Sequence, residues 1–97
     1  MFTIFLTDEA QEQLDELRKE KGLQKRYKAV SKTIRLLAAN PRHPGLQTHQ
    51  FTTLEGPKKE KVFEAYAEQG TPAAYRVFWY YGPGQKQITI IDITPHP

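Results

Sequence analysis

The sequence predicts an α+β fold in which two helices cover one face of a small antiparallel sheet. Three observations support this prediction: a short apolar run opens the chain, two segments with helical spacing of apolar residues follow, and the last third is rich in β-branched and aromatic residues. A chain of 97 residues can support one hydrophobic core. We therefore expect a single domain over residues 1–97.

The N-terminal elements are predicted to be a strand followed by a helix. Residues 2–6 form the apolar run, and the pattern TDEAQ at residues 7–11 is typical of the start of a capped helix. Ala10, Leu14 and Leu17 then recur at helical spacing, with charged residues between them. This spacing indicates a surface helix with one buried stripe.

A second helix is predicted over residues 24–39. Val30, Ile34 and Leu37 form its apolar stripe. The helix is expected to end before Pro41, because the residue before a proline is biased away from helix. The two helices together predict a helical hairpin.

Residues 41–61 are predicted to be mostly loop, because proline, glycine, lysine and threonine dominate them. Leu46 and Phe51 are the expected anchors of this loop to the core.

The last third predicts a three-stranded meander. Strand-like runs at 62–68, 74–81 and 87–94 are separated by short turns, which usually join antiparallel neighbours. We expect Val77 and Trp79 to pair with Ile91 and Ile93 beneath the helices.

That register would leave polar residues on the uncovered face of the sheet. Alternate residues of a strand share a face, so Arg76, Phe78 and Tyr80 point away from the helices. Arg76 and His96 are then expected together, with Glu64 and Tyr66 near them. Such a cluster would be cationic, aromatic and titratable.

Composition excludes some classes of protein and leaves others open. The formal net charge of +3 and the pI of about 9.2 permit a polyanionic partner. The absence of cysteine excludes disulfides, thiolate zinc sites and cysteine nucleophiles. His43, His49 and His96 lack metal-ligand spacing, so we expect neither a metal nor another cofactor. No run reaches membrane-spanning length, and we expect a cytoplasmic protein.

Basic residues are concentrated in two places. A stripe on the second helix and a short run in the loop before the meander are both candidates for contacts with phosphates. The stripe comprises Lys25, Lys28, Lys32 and Arg35, and the run comprises Lys58, Lys59 and Lys61. A solvated helix face, or a surface for an acidic protein partner, would have the same composition.

Four stretches of the chain resemble the RelE/ParE superfamily of type II toxins. They are LTDEAQEQLDEL at the first helix, KAVSKTIRLLAANPRHPG at the end of the second, AYRVFWYY on the middle strand of the meander and ITIIDITPHP at the end of the chain. The resemblance implies one of two activities: RelE-like members cleave mRNA in the ribosomal A site, and ParE-like members poison DNA gyrase. It also implies a cognate antitoxin, for which the open sheet face and the helix groove are the expected docking surface. A relative without toxicity, which binds nucleic acid or an antitoxin, is the third alternative.

The resemblance also implies roles for single residues. Arg76 corresponds to the strand arginine that contacts the scissile phosphate in RelE-like nucleases, and His96 lies near the C-terminal position of a catalytic histidine or tyrosine. The resulting hypothesis assigns charge stabilisation to Arg76, the general acid to His96 and the general base to Glu64 or His49.

Tyr66 or Tyr80 would stack on a splayed base. The lysines that RelE uses on the first strand of the meander are replaced by Glu64 and Tyr66, so an acid–base mechanism resembling that of the YoeB-like branch fits better. Two further departures are Pro97, which stands in place of a terminal tyrosine, and the stretch EQGTPA, which lengthens the turn before the Arg76 strand.

Overall fold

The structure is a computed structural model, and it describes residues 1–96. Within that range the chain forms two α-helices and five strands. In chain order they are β1 (Thr3–Leu6), α1 (Asp8–Lys19), α2 (Gln24–Ala39), β2 (His49–Glu55), β3 (Lys61–Tyr66), β4 (Tyr75–Tyr81) and β5 (Gln87–Pro95). Short 3-10 turns precede α2 at Lys21–Leu23 and β2 at Pro44–Leu46. Pro97, which follows the predicted acid His96, lies outside the described residues.

The five strands form one mixed sheet in the order β1-β5-β4-β3-β2. Strands β2 to β5 are antiparallel neighbours, whereas β1 pairs with β5 in parallel, with Thr3 opposite Gln87 and Leu6 opposite Ile90. The helical hairpin lies between β1 and the meander in the chain, so β1 reaches the far edge of β5 and runs parallel to it. The predicted α+β fold is therefore confirmed. The sheet, however, is mixed and not antiparallel as predicted.

Both helices begin and pack as their sequences predict. The Thr7 hydroxyl caps α1 by accepting a hydrogen bond from the Ala10 amide at 3.2 Å, and the two acids of the first turn complement the helix dipole. Leu17 of α1 and Val30 and Leu37 of α2 are buried in one core with the helix-facing side of the sheet, which includes Trp79. The prediction that the helices cover one face of the sheet is confirmed.

The prediction of a loop throughout residues 41–61 is wrong. Residues His49–Glu55 form β2, which pairs with β3 so that His49 lies opposite Glu64. Both predicted anchors are in place: Leu46 is fully buried, and the ring centroid of Phe51 lies 4.9 Å from that of Phe78. The three-stranded meander is thus a four-stranded one.

A bulge in β5 alters the predicted pairing. Phe78 lies opposite Asp92 and Trp79 opposite Ile90, so Ile91 is an extra residue between two pairs. Ile93 contributes to the core beneath the helices, as expected, but Ile91 packs with Phe78 on the opposite face. The bulge therefore corrects the expected position of Ile91.

No helix within residues 1–96 is long and apolar enough to cross a membrane.

Candidate active site on the open sheet face

The face of the sheet without helices carries a partly buried ion pair at its centre. Arg76 on β4 lies opposite Tyr66 on β3 and Thr94 on β5, and Glu64 lies one pleat away opposite Phe78. Nη1 of Arg76 donates to Oε2 of Glu64 at 2.5 Å, and the two side chains are only 12% and 9% exposed. A buried charge-assisted pair of this kind holds both groups in fixed positions.

Arg76 keeps part of its hydrogen-bonding capacity unused. Its guanidinium lies over the Phe78 ring, with Cζ 4.8 Å from the ring centroid. Its Nε is buried and has no hydrogen-bond partner within the part of the chain that the structure describes. A guanidinium carries five N–H donors, so the terminal ones that are not bonded to Glu64 retain capacity for a second anion, such as a phosphate.

Tyr66 and His49 extend this cluster toward solvent. The Tyr66 hydroxyl donates a hydrogen bond to the Glu64 carboxylate. Partial burial, the negative charge of Glu64 and this hydrogen bond raise the pKa of the Tyr66 phenol, and the charge of Arg76 opposes them. The ring of His49 meets that of Tyr66 edge to face, with centroids 6.2 Å apart.

A cavity of about 680 Å³ opens next to this cluster. His49, Tyr66 and His96 all line it. The end of β5 is held there because the His96 amide donates to the carbonyl of Ala74 at 2.8 Å. The structure therefore brings both predicted histidines to one cavity, beside the Arg76–Glu64 pair.

The remaining wall of the cavity is the loop between β3 and β4, and it depends on a residue of α2. Arg26 reaches over the Tyr75 ring, with Cζ 5.4 Å from its centroid, and Nη1 donates to the Ala73 carbonyl at 3.3 Å. Its Nε lies 3.9 Å from Oε1 of Glu68. The sequence analysis did not select Arg26 or Glu68, because only the fold brings this helix beside this loop.

Tyr80 does not fit its expected role. It is 7% exposed and belongs to a second apolar cluster on the open face, with Val62 and Phe78. A ring buried to this extent offers no face on which a base can stack. Of the two candidate tyrosines, only Tyr66 borders the cavity.

The predicted basic residues lie on different parts of the surface. All four residues of the stripe are exposed on α2, which covers the opposite face of the sheet. Lys32 lines a second cavity, of about 550 Å³, which shares Tyr66 and Gln69 with the first. Lys58 and Lys59 are exposed in the turn between β2 and β3, and Lys61 is exposed at the start of β3. Lys32 therefore lines a cavity that adjoins the candidate active site.

The residues of this site form no metal centre. No group of three or more histidine, cysteine, aspartate or glutamate side chains within residues 1–96 is arranged to hold a metal ion.

The chain has the fold of the RelE/ParE superfamily of toxins. A YoeB/ParE toxin from Agrobacterium tumefaciens is similar over 100% of both chains, with a TM-score of 0.70 and 10% identity. A chain of an archaeal RelE–RelB complex from Pyrococcus horikoshii OT3 matches 97% of this chain over 93% of its own length, with a TM-score of 0.65 and 17% identity. A YoeB from Staphylococcus aureus, a dimer, matches 99% and 98%, with a TM-score of 0.63 and 12% identity. No family model and no curated protein matches the sequence.

Proposed function

We propose that this chain is the toxin of a type II toxin–antitoxin system and cleaves mRNA on the ribosome. The observation that carries the proposal is the convergence of Arg76, Glu64, Tyr66, His49 and His96 on one region of the open sheet face. Cleavage of RNA by its own 2′-hydroxyl needs a base, a cation and an acid close together. The cavity offers the histidines for the acid and the base, and Arg76 next to it offers the cation.

The reaction assigned to these residues is a transesterification. The 2′-oxygen attacks the adjacent phosphorus, the new 2′-O–P bond forms and the P–O5′ bond breaks. Arg76 stabilises the charge that grows on the phosphate oxygens, and His96 gives its proton to the leaving 5′-oxygen.

His49 is the better placed of the two candidate bases. The Glu64 carboxylate already accepts hydrogen bonds from Arg76 and from Tyr66, and its side chain is only 9% exposed. His49 is exposed, and its ring borders the same cavity as His96. We therefore assign removal of the 2′-proton to His49, and to Glu64 the positioning of Arg76.

The proposal includes an antitoxin, the ribosome and a cytoplasmic location. One of the similar structures is a RelE–RelB complex, and an antitoxin is the corresponding partner here. β2 is an edge strand of the sheet, and an extended segment can dock along its outer edge and over the open face next to it.

Induction of the protein in growing bacteria tests the proposal. Translation should stop, and primer extension on a reporter mRNA should show cuts at the A-site codon. Arg76→Ala should abolish both effects, whereas Arg42→Ala, which removes an exposed arginine outside the cavity, should change neither. Intact mRNA together with a DNA-damage response would instead indicate a gyrase poison, and normal growth would indicate a relative without toxicity.

A further inference from the structure

We propose that the cavity beside Arg76 is a nucleobase pocket that selects guanine, and that Glu68 is the residue that determines the selection. This inference rests on the proposed cleavage of RNA, because the pocket adjoins the residues assigned to that reaction. It concerns the loop between β3 and β4, which the stretch EQGTPA lengthens.

The size and charge of the cavity favour a base over a phosphate. Its volume of about 680 Å³ lies within the range of pockets that hold small ligands. Glu68 lies in its wall with a side chain that is 11% exposed, and a carboxylate there repels a phosphate. The positive group that would attract phosphate, Arg76, lies next to the cavity and not in its lining. We therefore place the scissile phosphate at the side of the cavity next to Arg76 and the attached base against the wall formed by the loop.

Three side chains of the loop offer hydrogen-bond acceptors. Oε1 of Glu68 accepts from the Tyr75 amide at 3.0 Å, and Oε2 takes no part in that contact or in the contact with Arg26. The Gln69 amide group donates through Nε2 to the Gly45 carbonyl at 3.4 Å, which leaves its Oε1 as an acceptor. The Thr71 hydroxyl donates to the Gln69 carbonyl at 3.3 Å and keeps its lone pairs.

Guanine is the base whose edge complements such a wall. Its Watson–Crick edge carries two adjacent donors, N1–H and the 2-amino group, whereas adenine and cytosine each carry one amino group and uracil one imino N–H. Tyr66, which also lines the cavity, offers a ring on which the base can stack.

Side-chain contacts fix the loop to α2 and to the turn before β2. Arg26 connects it to α2 through Ala73 and Glu68, and Gln69 connects it to the turn before β2 through Gly45. Ordered acceptors can select a base only if they do not rearrange to suit every base. Arg26 is thus a positioning residue for the pocket.

Nucleotide binding measured by NMR tests the inference without requiring cleavage. GMP, AMP, CMP and UMP are titrated separately into the whole chain, and the amide shifts of residues 68–74 are followed. Their common phosphate contributes equally, so the differences report the base. We expect GMP to bind with a Kd about tenfold lower than that of AMP. Glu68→Gln, which is isosteric and keeps an acceptor for the Tyr75 amide, should reduce that ratio to below about threefold.

Glu55→Gln is the matched control, because Glu55 is an exposed glutamate outside the cavity, and its ratio should equal that of the unchanged chain. Equal Kd values for the four nucleotides, no shift in the loop with any of them, or an unchanged ratio in Glu68→Gln would each overturn the inference. Circular dichroism of each variant identifies any loss of folding, and Gln69→Ala provides a second variant that should lower the ratio.

The same variants separate this inference from the proposed function. Selective GMP binding without cleavage on ribosomes would refute the nuclease and leave the pocket standing. Arg76-dependent cleavage with the same codon preference in Glu68→Gln and the unchanged chain would support the nuclease and refute the pocket.

Discussion

Arg76 and Glu64 form a direct ion pair across β4 and β3, with 2.5 Å between Nη1 and Oε2. The carboxylate also accepts a hydrogen bond from Tyr66, and the Phe78 ring lies against the guanidinium. Glu64 therefore holds Arg76 in place while the arginine keeps a donor for another anion. The position of the cation depends on this carboxylate.

Loss of the Glu64 charge should destabilise the fold. Glu64→Gln leaves the mostly buried Arg76 without a counterion, and we expect a loss of about 1–3 kcal/mol in the free energy of unfolding. Urea denaturation monitored by Trp79 fluorescence measures it. Glu55→Gln makes the same change at an exposed site and should stay within about 0.5 kcal/mol. Equal stabilities of the two variants would contradict a structural role for the pair.

The raised pKa of Tyr66 predicts how stability depends on alkaline pH. The folded state keeps the phenolic proton to a higher pH than the unfolded chain, whose tyrosine titrates near 10.0. The folded state then binds more protons, so the contribution of Tyr66 is fully present below pH 10.0 and is lost as the pH rises through the folded pKa. Tyr66→Phe should therefore lose less stability than the unchanged chain between pH 9 and 11 (about one unit either side of that value). Tyr81→Phe, at an exposed tyrosine, should follow the unchanged chain, and identical pH profiles for all three proteins would refute the prediction.

The helices, the three meander strands and the outward face of Arg76 were predictable because each depends on a local period of apolar residues. Strand β2 was not, because HQFTTLE is an edge strand with one partly buried apolar residue, Phe51, and its polar composition resembles that of a loop. The position of Ile91 was missed for a different reason. A bulge moves a residue to the other face of the sheet, and nothing in ITIIDIT marks the residue at which it occurs.

Gln13 of α1 covers the edge of β5 beyond the end of β1, and truncation of its side chain should lower the free energy of unfolding. Oε1 of Gln13 accepts from the Ile93 amide at 2.6 Å, and Nε2 donates to Oδ1 of Asp92 at 2.7 Å. Gln13→Ala leaves both partly buried groups without this partner, so we expect a loss of about 1–3 kcal/mol in thermal or urea unfolding. Gln11→Ala, on the exposed side of the same helix, should cost less than about 0.5 kcal/mol. A similar cost for both would show that the Gln13 contacts contribute little.

The assignment of the general base predicts different results for His49 and Glu64. His49→Gln should lower the single-turnover rate of A-site cleavage by about 10²–10⁴-fold with its stability unchanged, because it removes a proton acceptor from an exposed position. His43→Gln, at an exposed histidine outside the cavity beside Arg76, should cleave at the rate of the unchanged chain.

Glu64→Gln must be compared at a temperature at which it is fully folded, because its effect includes the displacement of Arg76. An unchanged rate in His49→Gln together with a large loss in Glu64→Gln under those conditions would contradict the assignment of the base to His49.

The basic stripe on α2 should contribute to RNA binding unequally along its length. Lys32 lines the cavity that meets the candidate active site at Tyr66 and Gln69, so an RNA strand that leaves the site along this surface passes it. Each neutralised phosphate releases counterions, so Lys32→Ala should weaken binding to RNAs of every sequence and reduce the slope of log K against log salt by about 1. Lys86→Ala is the control, because Lys86 lies over the Phe2 ring near the opposite edge of the sheet, and it should leave the slope unchanged. Equal slopes for Lys32→Ala and Lys86→Ala would mean that the RNA follows another surface, and the run at Lys58, Lys59 and Lys61 would be the next to test.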